Sequence, residues 1–402
     1  MKLNKLIISA AILPVFISKA ALGAGYSSNL TSTSALANSY AGSVTGIHDS
    51  SDMFFNPAVT SGILSSEFVA SFSYLDLDVD IDNLKLNNAP AGGEEVSDAG
   101  EDSLIPAFYY STRVNDDVAI GLALTVPFGL ATKYNQNWGA KDNSLENKIE
   151  AYNINPNISY QLDGKIALGF GLQAQYMKSA FLKNPPNMGS KTYAQDLGYG
   201  YNLGLKYKID DNINFGLGYR SKIDHKFKGY TRITSLNLRE IVNYKLTTPE
   251  SLSAGLSGNV NSKTQLAFDV TWNRWSRLNQ VNFSHRSNAN LDEDNDFKWN
   301  DSFMYSLGLN YDYNNQLNLR SGIAYEEDGV SDSYRGFVVP TGDRVWTSVG
   351  LNYQLKEDLA FDLTYLHQFH SKVKIESNAN EGYSADSKTS VNVLSVGLVK
   401  QF

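Results

Sequence analysis

The stretch SFMYSLGLNYDY, Ser302 to Tyr313, decides how the rest of this chain is read. Extended, it puts Phe303, Tyr305, Leu307, Leu309, Tyr311 and Tyr313 on one face. Ser302, Met304, Ser306, Gly308, Asn310 and Asp312 take the other. Successive side chains of a strand point to opposite sides, so the segment has one apolar and one polar surface. QLNLRSGIAYEE repeats the pattern, with Leu317, Leu319, Ile323 and Tyr325 opposing Asn318, Arg320, Gly322, Ala324 and Glu326. GYGYNLGLKYKI sets Tyr199, Tyr201, Leu203, Leu205 and Tyr207 against Gly200, Asn202, Gly204 and Lys206.

A soluble sandwich alternates in the same way, so length and connections must decide. These segments exceed the usual ~5–6 residues of a strand and reach the about 9–11 that a tilted strand needs to cross a bilayer. Aromatic residues close the apolar stripes, as in Tyr199/Tyr207 and Tyr305/Tyr313, where an interfacial girdle belongs. Fourteen such segments start near Glu67, Ser103, Asp117, Lys148, Gly164, Gly198, Asn212, Val242, Lys263, Asp301, Gln316, Asp343, Asp358 and Ser387. Short polar turns (VNDD, QLDGK, IDDN, NVNSK, YNNQ, QLKED) join alternate pairs, and long loops such as Asp82–Asp102, Ala131–Asn147 and Ser284–Asn300 join the others. Strict short–long alternation over an even strand count predicts an all-β, 14-stranded antiparallel transmembrane barrel of the cell outer membrane. The last strand, VNVLSVGLVKQF, runs to Phe402, as a strand pinned in a closed sheet would.

The amino terminus fits export. Lys2 and Lys5 precede the apolar run Leu6 to Ser18, and Ala21-x-Gly23 fits a cleavage site, so residues 1–23 read as a signal peptide. Cysteine is absent, which removes disulfides and thiol chemistry. A net charge of −8 argues against a nucleic-acid partner. Among His48, His225, His285, His367 and His370 no histidine carries a nucleophile motif beside it, so no enzyme is expected. His367 and His370 point to opposite faces if both lie on a strand. Asp76, Asp78, Asp80 and Asp82 share one face and could hold a divalent cation or form a solvated loop entrance. No cofactor and no metal are expected.

A short apolar stretch, SSDMFFNPAVTSGIL from Ser50 to Leu64, precedes the first strand. With AGYSSNL and ANSYAGSVTG before it, this region resembles the amino-terminal hatch of the outer-membrane long-chain fatty acid transporter family (FadL type), which includes toluene and hydrocarbon transporters. FGLATKYN, YRSKIDHKFKG, LTTPESLSAGLSG, WNRWSRLNQV, RSGIAYEEDGV, VPTGDRVWTSVGLNY and YLHQFHSKVKI are similar to family segments in the same order. The resemblance implies a hatch over residues 24–65 and a barrel over 66–402. It implies passive uptake of a long-chain fatty acid or another hydrophobic small molecule, which leaves sideways through the wall. Asn56, Pro57 and Ala58 match the family's hatch element, and Met53, Phe54 and Phe55 would line the pocket beside it. The wall would open at an inward kink of the third strand, at Pro127, Phe128, Gly129 and Leu130. Proline removes a ladder donor and glycine a packing side chain, so the strand carries its own reason to break there. Lys183 falls where a family arginine meets the ligand head group, and Lys298 lies near the second basic position. The loops after the fifth and seventh strands, Ser179–Leu197 and Lys226–Asn243, read as shorter than in those relatives. Outer-membrane lipid and lipopolysaccharide are the surroundings this implies, with the chain acting as a monomer. A plugged or general diffusion porin is the alternative, and an adhesin or surface-receptor role could coexist with either.

Overall fold

The computed structural model describes residues 25–183, 188–376 and 382–402; the expected signal peptide, 1–23, lies outside them. Fourteen spans form one closed antiparallel sheet among the described residues. The first five are β1 (Glu67–Leu86), β2 (Ser103–Arg113), β3 (Val118–Lys133), β4 (Glu146–Gln161) and β5 (Ile166–Lys183). β6 (Ser190–Lys208) leads into two interrupted spans. These are β7, Ile213–Arg220 continued by Ile223–Ile233, and β8, Leu238–Thr248 continued by Ser251–Asn261. The circuit is completed by β9 (Thr264–Asn273), β10 (Ser302–Asp312), β11 (Leu317–Glu326), β12 (Arg344–Lys356), β13 (Leu359–His370) and β14 (Tyr383–Gln401). β14 returns to β1 from Gln401 opposite Glu67 to Tyr383 opposite Leu86, so the ladder closes on itself.

The apolar face of the alternation is the outer one. On β4, Ile154, Ile158 and Tyr160 are exposed while Asn153, Asn155, Asn157 and Ser159 are buried inside. Toward the loop end the chemistry inverts without any change of register. On β1, Ser71 and Ser73 face in and Phe72 and Tyr74 face out, but beyond them Leu75, Leu77, Val79 and Ile81 are the buried residues. The outward positions there are Asp76, Asp78, Asp80 and Asp82. Hydrocarbon surrounds the barrel below this level and water above it, so the two faces exchange roles where the membrane ends. The aspartates therefore lie on the water side, Asp80 accepting the Asp98 N–H at 3.2 Å. His367 turns outward onto Asn392 and His370 turns inward beside Gln368, so the two do not converge.

The inversion corrects one expectation. Ser179–Leu197 and Lys226–Asn243 are mostly strand: β5 runs to Lys183, β6 starts at Ser190, and the second connection shrinks to 234–237. These segments read as loops because their water-facing positions are charged, which hides a continuing strand from any search for apolar stripes.

Residues 25–62 run inside the barrel and are buried almost throughout. Thr33 meets Ser71 of β1 and Ser395 of β14 at 2.7 Å each. Asn38 donates to the Leu309 and Ser321 carbonyls at 3.1 Å. Ser39 meets Ser348 at 2.8 Å. The closeness has a sequence cause: a Cβ on Gly169, Gly204, Gly216, Gly218 or Gly322 would run into the segment's backbone or the Asn56 side chain. Glycine inside a strand marks such close approach, and here it recurs around the wall. The lumen is consequently filled across its width.

Gly204→Val should push Asn56 and Ala58 off the wall, at an overpacking cost of about 1–3 kcal/mol. Planar-bilayer recordings should show low steady conductance for the native protein, a higher one for Gly204→Val, and the highest after deletion of residues 25–62. Equal conductance in all three would contradict a lumen closed by this segment.

Candidate functional site

The wall is interrupted between β2 and β3. Their pairing runs from Arg113 opposite Ala119 to Phe108 opposite Leu124 and stops there. β2 continues from Ala107 back to Ser103 with β1 alone as its partner. β3 shifts register against β4 between Thr125 and Phe128, at Pro127. Its freed edge turns to the N-terminal segment instead. Ser28 N–H donates to the Pro127 carbonyl at 3.0 Å, and Gly129 N–H donates to the Tyr26 carbonyl at 2.8 Å. Ser28 Oγ also bonds the Val126 carbonyl. Higher up, Lys133 N–H bonds Ala99 O (2.8 Å) and Glu101 N–H bonds Ala131 O (3.2 Å), which closes the wall again. What lies between is a window edged by residues 103–107 and 125–130. Pro106, on the unpaired edge of β2, suits a position without a ladder partner.

Behind the window lies the apolar core of the outer half. Phe128 packs on Tyr26 (ring centroids 5.6 Å) and Trp275 (6.4 Å), and Tyr26 meets Trp275 at 4.9 Å. Trp299 stands 5.2 Å from Trp275. Leu130 is fully buried in the same cluster. The loop 327–343 folds down over it: Phe337 is buried, meets Trp138 edge-on at 4.9 Å, and its carbonyl accepts the Tyr134 hydroxyl at 2.7 Å. Trp138 Nε1 donates to Ser144 O, whereas the Trp275 and Trp299 indole N–H groups are buried without an acceptor. A buried donor left unpaired costs about 1–3 kcal/mol, which an acceptor-bearing ligand would recover.

Of the hatch residues singled out in sequence, Phe55 packs against this core, 5.2 Å from Tyr40. Met53 and Phe54 fall in a smaller cluster with Ala107, Tyr109 and Ala123, and Asn157 donates to the Met53 sulfur at 3.2 Å. The Arg220 guanidinium lies 4.0 Å above the Phe54 ring and donates to its carbonyl at 2.8 Å. Asn56 starts a 3-10 turn, Pro57–Gly62, with Pro57 first in it and the Ala58 N–H bonded to Asn56 Oδ1 at 2.9 Å. Asn56 Nδ2 reaches Val44 O (2.6 Å) and Leu205 O of β6 (2.9 Å), tying the turn to the wall. Nearby, burial raises the Asp52 carboxyl and His48, bonded at 2.9 Å, opposes the rise.

Lys183 and Lys298 lie far out, each in an exposed ion pair, with Glu293 and with Asp296 respectively. The cation inside the apolar half is one the sequence reading did not single out. Arg344, at the start of β12, is 1 % exposed. Its Nε lies 3.2 Å from Glu326, but none of its three guanidinium nitrogens has an acceptor in hydrogen-bond geometry. Next to it, burial pushes the Asp328 carboxyl up to about 6, with Arg344 and Arg335 pulling against that rise. The available signal for Arg344 was its place: an arginine at the loop end of a strand, on the inward face, where the outer half is apolar.

These features agree with known proteins. Residues 14–402 match the family model described as outer membrane protein transport protein (OMPP1/FadL/TodX). The chain is similar to a long-chain fatty acid transport protein of Escherichia coli O6:H1, 24% identical with 94% of each chain covered. Its fold is similar to that of a Pseudomonas aeruginosa FadL homologue (TM-score 0.85, 21% identity, covering 94% of this chain and 100% of that one). It is also similar to the Ralstonia pickettii toluene transporter TbuX (TM-score 0.71, 15% identity, 93% and 99% covered). The closed barrel, its filled lumen and a match over nearly the whole chain lead to one conclusion: this chain belongs to the outer membrane protein transport family, OMPP1/FadL/TodX.

Proposed function

We propose that this protein carries long-chain fatty acids or related hydrophobic molecules passively across the outer membrane, releasing them sideways through the β2–β3 window. The observation that carries the reading is the edge of β3, which leaves β2 and pairs with Tyr26–Ser28 of the N-terminal segment. Two backbone bonds there hold the window shut, and such bonds exchange at a net cost of only about 0.5–1.5 kcal/mol each. Residues 24–65 act as a hatch and 66–402 as the barrel. Withdrawal of Tyr26 from Phe128 would open the apolar core to the hydrocarbon of the bilayer. The drive is partition, since each CH₂ moved out of water is worth about 0.8 kcal/mol. The related proteins named as fatty acid and toluene transporters support this substrate class. The sheet closes within one chain, which supports a monomer.

Arg344 reads the head group in this scheme, because its guanidinium, beside Glu326 at 3.2 Å, keeps donors without an acceptor in hydrogen-bond geometry in a dry place. Lys183 and Lys298 are weaker readers, since exposed ion pairs contribute about 0–1 kcal/mol. The porin alternative is disfavoured by a lumen packed from wall to wall.

Straightening β3 with Pro127→Val and Gly129→Val should restore ladder pairing, close the window and lower uptake while the barrel still folds. Import at the native rate by that variant would rule out the lateral route. Arg344→Gln should remove a charge-assisted contact of about 1.5–3 kcal/mol and weaken fatty acid binding roughly 10–100-fold. Toluene binding, measured alongside, should stay nearly unchanged. An equal loss for both ligands would mean that Arg344 does not read a carboxylate.

A further inference from the structure

The outer halves of β7 and β8 form a hairpin, Ile223–Ile233 paired with Leu238–Thr248, that continues past the lipid-facing band. Its inward side is apolar, with Ile223, Phe227, Val242, Tyr244 and Leu246 buried. Its outward side carries Lys226, Lys228, Arg232, Arg239 and Lys245, all exposed. Among the described residues none of these five is ion-paired. Asp224, on the same face, is bound to Lys222 at 2.9 Å and neutralised by it.

The register makes the arrangement costly for the protein alone. Lys226 stands directly opposite Lys245, and Arg232 stands opposite Arg239 on one side; Lys191, on its other side, is neutralised by Glu146 at 3.1 Å. Like charges directly opposite one another destabilise a sheet. An anion from outside the chain would reverse the sign of that interaction.

Their height along the barrel identifies the anion. The lipid-facing stripe of β6 runs from Tyr207 to Leu197. Ten residues at ~3.3 Å rise, tilted about 40°, span about 25 Å, the height of the apolar band. Lys228 stands opposite Gln195, two residues beyond Leu197. The cations therefore begin where hydrocarbon ends, and they face along the membrane plane rather than into the lumen. At that level of an outer leaflet lie the phosphates of its glycolipid. Tyr193 and Tyr230, 5.5 Å apart, sit among the cations, and the Arg239 guanidinium lies 3.9 Å above the Tyr230 ring. That stacking holds Arg239 in place and offers an aromatic surface beside a sugar. At the same level β1 presents Asp76, Asp78, Asp80 and Asp82, so that side of the barrel has the opposite charge.

We propose that the outward face of the β7–β8 hairpin is a docking site for the phosphorylated glycolipid of the outer leaflet, lipopolysaccharide. Lys226, Lys228 and Lys245 engage its lipid-proximal phosphates, and Arg232 and Arg239 engage anionic groups further out. The occupant would sit as a fixed neighbour in the membrane, separate from the transport route.

The test is native mass spectrometry of the full barrel in nanodiscs of phosphatidylcholine doped with bis-phosphorylated lipopolysaccharide or with its phosphate-stripped form. The native protein should retain the phosphorylated glycolipid and shed it as salt rises. Lys226→Ala/Lys228→Ala/Lys245→Ala should retain roughly ten-fold less or worse, with fatty acid uptake kept. Lys388→Ala, at an outward position opposite Asp80 on the other side, should behave as native. Equal retention by the triple variant, or equal retention of the phosphate-stripped glycolipid, would overturn the site. Should the triple variant fail the heat-shift gel for folding, the salt titration of the native protein decides. Retention independent of salt would refute the proposal.

Discussion

Hydrocarbon offers no hydrogen bonds, and the structure follows from satisfying every backbone group inside the chain. A ring of fourteen paired strands does this along most of its circuit; the ladder lapses between β6 and β7, over 221–227 of β7, and between β2 and β3. There the proline at 127 deprives β3 of a donor, and the strand turns inward. The edge is not left bare: Tyr26 and Ser28 take over its bonds from inside the lumen. Transport function and structural necessity meet at this point. A gap in a membrane wall is tolerable only if something else pairs with its edge, and on the proposed lateral route that partner would be the gate.

The N-terminal segment can reach that edge because the wall lets it come close. Glycines on the inward face of β5, β6, β7 and β11 put strand backbone against segment backbone. Serines, threonines and asparagines between them supply hydrogen bonds at about 3 Å. The segment also buries Tyr26, Leu30, Leu36, Tyr40, Met53 and Phe54 in the apolar clusters, so polar and apolar contacts hold it together.

The outer half has the opposite chemistry. Its interior is an aromatic and aliphatic core capped by the loop 327–343, whose own Asp328 is buried against Arg335 and near Arg344. Because burial raises the Asp328 carboxyl, its folded value lies above its unfolded one. Its contribution to cap docking is thus present at low pH and is lost as pH rises through about 6.

Alternation, segment length and turn spacing in the sequence determined the barrel, its strand number and its outward apolar face. Each of these is a local property: side-chain period and chain reach do not depend on remote residues. The break at Pro127–Gly129 was legible for the same reason, since proline and glycine act on their own backbone. Only the tertiary structure decided what pairs with that broken edge, because Tyr26 and Pro127 are a hundred residues apart in sequence and meet across the lumen. It also decided that Lys226–Asn243 is largely strand, since strand outside a membrane turns a charged face to water and loses its apolar signature. Arg344 stayed hidden in sequence because nothing local separates a lumen arginine with satisfied hydrogen bonds from one that has only an ion pair with Glu326. The same holds for the five cations of the β7–β8 hairpin, whose common face is set by cross-strand register.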